Sequence, residues 1–167
     1  STFGTESYAF AIPSDITVPV DSNGFATFTD IQIFEGTYLT ANFTVEADNP
    51  SPPKRYILNN ENIDTSTLRV EVRDTQASTS SKKYLLSDSL FEVTASSRVF
   101  FIQEIEDERY ELIFGDGIFG EQLKALNYIE TSYIKTNGEN GNGISSFLFN
   151  GRLVDNNNNL VSTGISL

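Results

Sequence analysis

The chain contains no cysteine, no histidine, no tryptophan and no methionine. Without cysteine there can be no disulfide, no thiolate nucleophile and no thiolate metal site. Without histidine the commonest general base and the commonest metal ligand are missing, and every Ser-His or Cys-His pairing is excluded. Basic residues are scarce: 11 Lys and Arg stand against 23 Asp and Glu, a net charge of -12. Nucleic acid and anionic membrane both select a positive surface, so neither is expected as a partner. The acidity fits a soluble surface, or an assembly subunit that meets basic surfaces on its neighbours. No apolar run approaches the ~18 residues of a membrane-crossing helix, so no membrane insertion is expected. No basic start followed by an apolar stretch marks a signal peptide. The chain begins at Ser1, which gives the expectation of a processed protein or, preferentially, of an internal fragment of a longer one.

What is present points to β structure. The 167 residues include 13 Phe and seven Tyr, enough for one domain with a sizeable core or two small ones. Apolar residues alternate at Tyr8, Phe10 and Ile12, at Ile16, Val18 and Val20, and at Leu39, Ala41, Phe43 and Val45, the period of a half-buried strand. Phe25–Phe28, Ile31–Phe34 and Tyr56–Leu58 read as short strands, and Leu68, Val70 and Val72 as a longer one with a charged outer face. Turn signals separate them at Asp21-Ser22-Asn23-Gly24, Glu35-Gly36 and residues 59–64. Residues 99–105 and 109–114 predict an antiparallel hairpin turned by Glu106-Asp107-Glu108. Residues 128–136 and 144–154 read as strands, residues 121–126 as the one short stretch of helix-forming composition, and residues 84–91 give no firm assignment. The expected fold class is therefore mainly β: antiparallel and sandwich-like, or mixed, with at most one or two short helices. Three prolines between Pro50 and Pro53 suggest a connector at 48–54, between a β-rich unit at 1–47 and a main β-rich unit at 55–167, unless the chain is one continuous domain.

Candidate chemistry is thin. Glu104, Glu106 and Glu108 would share a face of an extended strand, and paired carboxylates can serve as acid and base. A hairpin end, however, offers no burial to raise one of their pKa values. Asp155 and the four asparagines after it open like a calcium loop, but Leu160 and Ser166 occupy the positions that need Gly and a bidentate Glu. Asn42-Phe43-Thr44 matches a glycosylation acceptor, yet it lies inside an expected strand. No phosphate-binding loop is present, and no Ser or Thr has a visible base. No enzymatic activity and no cofactor or metal are expected.

The most specific stretch is Phe114-Gly115-Asp116-Gly117-Ile118-Phe119-Gly120, an alternating strand that breaks into a glycine-shaped turn. With Tyr133-Ile134-Lys135-Thr136-Asn137-Gly138, Ile33-Phe34-Glu35-Gly36-Thr37-Tyr38 and Leu68-Arg69-Val70-Glu71-Val72, it resembles the baseplate wedge proteins of contractile-tailed, T-even-type bacteriophages, the baseplate J-like family. The likeness runs over most of the chain and is most specific at residues 110–120. It implies a non-enzymatic, internal β-rich domain of a virion subunit assembled in the host cytoplasm. Copies of that subunit join neighbouring wedges into a ring that changes diameter when the baseplate switches. The implied partners are a second copy and other wedge subunits. Phe114, Gly115, Asp116, Gly117, Phe119 and Gly120 would form a structural turn, with Asp116 accepting hydrogen bonds from backbone N–H groups. The polar loop at 74–83, including Thr79, Ser80, Ser81, Lys82 and Lys83, is the first expected contact or hinge element. The second is the turn at 137–143, with Asn137, Gly138, Asn140, Gly141 and Asn142. A carbohydrate- or receptor-binding, adhesin-like β-domain using exposed Tyr and Asn is the alternative.

Overall fold

The computed structural model describes residues 8–46, 54–138 and 147–161. The expected connector, apart from Lys54, therefore lies outside the described residues, as do Asn140, Gly141 and Asn142. The fold is mainly β: a mixed seven-stranded sheet nearly closed into a barrel, and a small two-stranded sheet. In chain order the strands are β1 (Phe10–Ala11), β2 (Phe34–Glu35), β3 (Thr37–Thr44), β4 (Tyr56–Leu58), β5 (Ile63–Arg73), β6 (Ser81–Leu86), β7 (Val99–Ile105), β8 (Arg109–Phe114) and β9 (Tyr128–Lys135). The large sheet has the order β3-β9-β5-β6-β7-β8-β4. Its pairs are antiparallel except β6–β7, which are parallel and joined by residues 87–98. β3, within the expected first unit, pairs along its whole length with β9, so the sheet spans both sides of the connector.

Alternation explains which residues fill the barrel. Leu68, Val70 and Val72 of β5, Ile129 and Tyr133 of β9, Tyr84, Phe100, Leu112 and Leu58 are buried in one cluster. Leu39, Ala41 and Phe43 of β3 pack against it. Burying these side chains is the main favourable term, about 1.5–3 kcal/mol for each large aliphatic. Phe114 sits among three rings, 5.8 Å from Tyr56, 5.7 Å from Tyr84 and 6.4 Å from Phe100. Burial pushes the Tyr84 phenol up to about 12, so it stays neutral. The two end strands approach where Phe43 meets Tyr56 edge-on at 5.6 Å and Lys54 Nζ donates to the Thr44 carbonyl at 3.1 Å. β3 and β4 are the two ends of the strand order and share no ladder, so the barrel stays incompletely closed.

β5 carries a bulge that periodicity did not reveal. Its register with β9 shifts between Asp64 and Arg69. The Asp64 carboxylate accepts from Ser66 N–H at 3.0 Å and from its hydroxyl at 2.6 Å, turning the strand locally. The buried Thr67 hydroxyl then accepts from Ile134 N–H at 3.0 Å and donates to the Asp64 carbonyl at 2.7 Å. A side chain thus replaces a missing ladder bond. Thr67→Val keeps the shape but leaves the buried Ile134 N–H and the half-buried Asp64 carbonyl without that partner. The expected loss is about 2 kcal/mol in denaturant unfolding at an unchanged slope; an unchanged midpoint would mean that the hydroxyl is dispensable.

Several expected elements are corrected. The alternation at 16–20, 25–28 and 31–33 does not produce strands, because among the described residues no neighbouring strand pairs with them. Ile16, Val20 and Phe25 stand 42 %, 65 % and 69 % exposed. The turn between them does form: the Asp21 carboxylate accepts from Asn23 and Phe25 N–H. Residues 121–126 are not helical. Leu126 has φ 70 and donates its N–H to the Val45 carbonyl, Val45 N–H donates to the Asn127 carbonyl, and Leu123 packs on the core, so tertiary contacts override propensity. Residues 147–154 form no strand beyond a single bridge from Val154 to Leu160; 144–146 lie outside the described residues. Ile63 and Asp64 belong to β5 rather than to the preceding turn.

Candidate functional site

The glycine turn after β8 closes on itself. Asp116 Oδ1 accepts from Ile118 and Phe119 N–H, both at 2.9 Å, and Gly117 N–H donates to the Gly120 carbonyl at 3.1 Å. Those backbone bonds to Phe119 and Ile118 hold the Asp116 carboxyl below its ordinary value. Gly115 and Gly120 are pressed together: a Cβ on Gly115 would lie 2.2 Å from the Gly120 carbonyl carbon. The loop is also tied to residues 87–98, since Gly120 N–H donates to the Thr94 carbonyl at 3.0 Å and Glu121 N–H to the Ser97 carbonyl at 2.8 Å. Gly120 is buried, while Ile118 and Phe119 are 67 % and 47 % exposed. The result is a stiff loop with two apolar side chains at its tip. Asp116 shapes it through its two backbone hydrogen bonds.

A second convergence joins residues distant in sequence. Glu35 accepts from the Thr136 hydroxyl at 2.8 Å, from Asn137 N–H at 2.9 Å and from the Asn137 side-chain amide at 2.7 Å. Partial burial works against the charged form, but the hydrogen bonds from Asn137 and Thr136 outweigh it and lower the Glu35 carboxyl from 4.5. Next to it, Gly36 crosses β9 against the Lys135 carbonyl and Ile134. Asn137 is thus held to the end of β2, and Gly138 N–H donates to the Thr136 hydroxyl at 3.0 Å; both residues are exposed, and the rest of the expected turn lies outside the described residues. A carboxyl lowered on folding adds stability above its unfolded pKa, and that stability is lost as pH falls through the folded value. Wild-type stability should therefore fall as pH drops below about 4.5. Glu35→Gln should lower stability at pH 7 and flatten the fall, as read from unfolding midpoints across pH 3–7. Parallel pH curves for the two proteins would exclude Glu35 as the cause.

The expected contact loop at 74–83 is shorter than anticipated. Ser81, Lys82 and Lys83 lie in β6, paired with Arg73, Val72 and Glu71, because the loop merely closes a hairpin. Thr79 and Ser80 are exposed in the remaining turn, which is stapled by Ser78 to Thr75 and Arg73. Among residues that patterning missed, Asn127 stands out. It is buried, accepts from Lys124 N–H at 2.8 Å and donates to the Arg73 and Asp74 carbonyls, tying residues 121–127 to the end of β5. A polar residue before an apolar strand gave no signal of that role.

The carboxylates considered for acid–base work are not assembled for it. Glu104, Glu106 and Asp116 are all exposed. A cleft of about 300 Å³ sits at the seam near β4 and is lined by Glu46, Lys54, Tyr56, Glu111, Phe114 and Leu123. Its charges pair within the chain. Lys54 lies 3.1 Å from Glu46, and Arg55 Nε donates to Glu111 at 3.0 Å, holding that carboxyl below its ordinary value. No cluster of acidic groups that would hold a metal ion occurs among the described residues. Asp155 instead binds its own turn, accepting from Asn157 and Asn159. No helix of the described residues is long and apolar enough to cross a membrane. The chain matches no protein-family model and no curated protein.

Proposed function

We propose that this chain is a structural subunit of a contractile-tail baseplate wedge, linking wedges to one another and taking part in the baseplate switch. The observation that carries the reading is the self-bonded loop at 114–120. It belongs to the stretch that most resembles that family, and it holds Ile118 and Phe119 in solvent on a stiff frame. Stiff apolar tips suit subunit docking, because little side-chain and loop freedom remains to be lost on contact. The adhesin alternative relies on exposed Tyr and Asn; of the seven tyrosines only Tyr38 is exposed, so its aromatic part has little support, while asparagines such as Asn59 and Asn137 are exposed. Immunogold labelling with antibody to this chain should decorate the baseplate end of purified tails from the phage that encodes it. Chain recovered only free in the lysate, and never on tail particles, would sink the reading.

A further inference from the structure

We propose that the loop at 87–92 and the tip at 116–119 form one docking surface, shaped for a different protein subunit that offers an apolar pocket rimmed by Lys and Arg. This rests on the assembly reading above and names the chemistry of the partner. Leu90 and Phe91 are 54 % and 88 % exposed on the segment 87–98 to which the loop of the exposed Ile118 and Phe119 is hydrogen-bonded. Such a concentration of large apolar side chains on two short loops marks an interaction site rather than scattered surface residues. The loops act as one body because Gly120 and Glu121 bond to Thr94 and Ser97. The first loop is built, not slack: Phe91 N–H donates to the Ser89 hydroxyl at 3.0 Å, Val93 N–H to the Leu90 carbonyl at 3.3 Å, and Glu92 holds φ 64.

Charge selects the partner. Asp88, Glu92 and Asp116 are exposed around these tips, and none is ion-paired among the described residues. The neighbouring cation, Arg98, is already held 3.1 Å from Glu121. A second copy of this chain would bring acid against acid, whereas a basic rim would be steered in and kept in register.

The test uses assembled tails. Replacing Phe91 or Ile118 with p-benzoylphenylalanine and irradiating should yield an adduct with a peptide of another subunit in which apolar residues are flanked by Lys or Arg. Phe91→Ser with Ile118→Ser, and separately Asp88→Lys with Glu92→Lys, should each lower incorporation into tails by about tenfold or more, the effect of losing an interface hot spot. The melting temperature of the isolated chain should stay put, which separates docking from folding. Tails that contain the chain but give no adduct, an adduct with a second copy, or one with a peptide lacking basic residues overturn this surface alone. Absence of the chain from all tail particles overturns the wedge reading, and this assignment with it.

Discussion

Gly36→Ala is expected to cost on the order of 4 kcal/mol, a large share of the roughly 5–15 kcal/mol that stabilises a domain. Two independent costs add. Gly36 has φ 131, a region that L side chains rarely adopt. A Cβ there would also lie 2.3 Å from the Lys135 carbonyl oxygen and 2.6 Å from Ile134 Cγ2. Neither neighbour can yield cheaply. Lys135 ends β9, which is hydrogen-bonded on both sides, to β3 and β5, and Ile134 is fully buried. Relief would require lifting the start of β3 from β9, which would also pull Glu35 away from Thr136 and Asn137. Denaturant unfolding should show a midpoint lowered in proportion, and the amides of Thr136 and Asn137 should exchange faster with solvent. A variant as stable as the parent would mean that β2 and β3 can shift without loss, and that the crossing is not tight.

How much of this was legible depended on whether a residue's partner lies within reach of pattern. β3, β7, β8 and β9 were readable because strong alternation and paired turns are properties of the segment itself. The Asp116 turn was readable for the same reason, since its acceptor and donors lie within three residues. Strands at 16–20 and 25–28 were misread because alternation states only that a segment can be a strand; a sheet edge must exist to receive it. The helix at 121–126 failed for the opposite reason: its composition is local, while bonds to Val45 and Asn127 impose a non-helical turn. Glu35, Thr67 and Asn127 were invisible as structural residues. Each satisfies backbone or side-chain groups 53 to 102 positions away, and sequence spacing carries no trace of such contacts. The paired-carboxylate idea turned on burial, which a one-dimensional reading cannot supply; Glu104 and Glu106 proved exposed.

Gly115→Ala is the second large effect, and it separates steric from conformational roles for glycine within one loop. A Cβ on Gly115 would meet the Gly120 carbonyl carbon at 2.2 Å, its oxygen at 2.4 Å and its Cα at 2.5 Å. Gly117, by contrast, has φ 88 but nothing closer than 3.6 Å. Gly115→Ala must therefore force the crossing apart, at about 2–4 kcal/mol, whereas Gly117→Ala pays only backbone strain of about 1 kcal/mol. Gly117→Val adds β-branching at a positive φ and should fall between them. Opening the crossing would break the bond from Gly120 to Thr94 and release the tip that carries Ile118 and Phe119 from the loop that carries Phe91. Unfolding midpoints should rank parent, Gly117→Ala, Gly117→Val, Gly115→Ala in falling order. Tail incorporation at a temperature where all four remain folded should drop most for Gly115→Ala. If Gly115→Ala matches Gly117→Ala in both measurements, the crossing has slack, and the stiffness on which the docking role depends is absent.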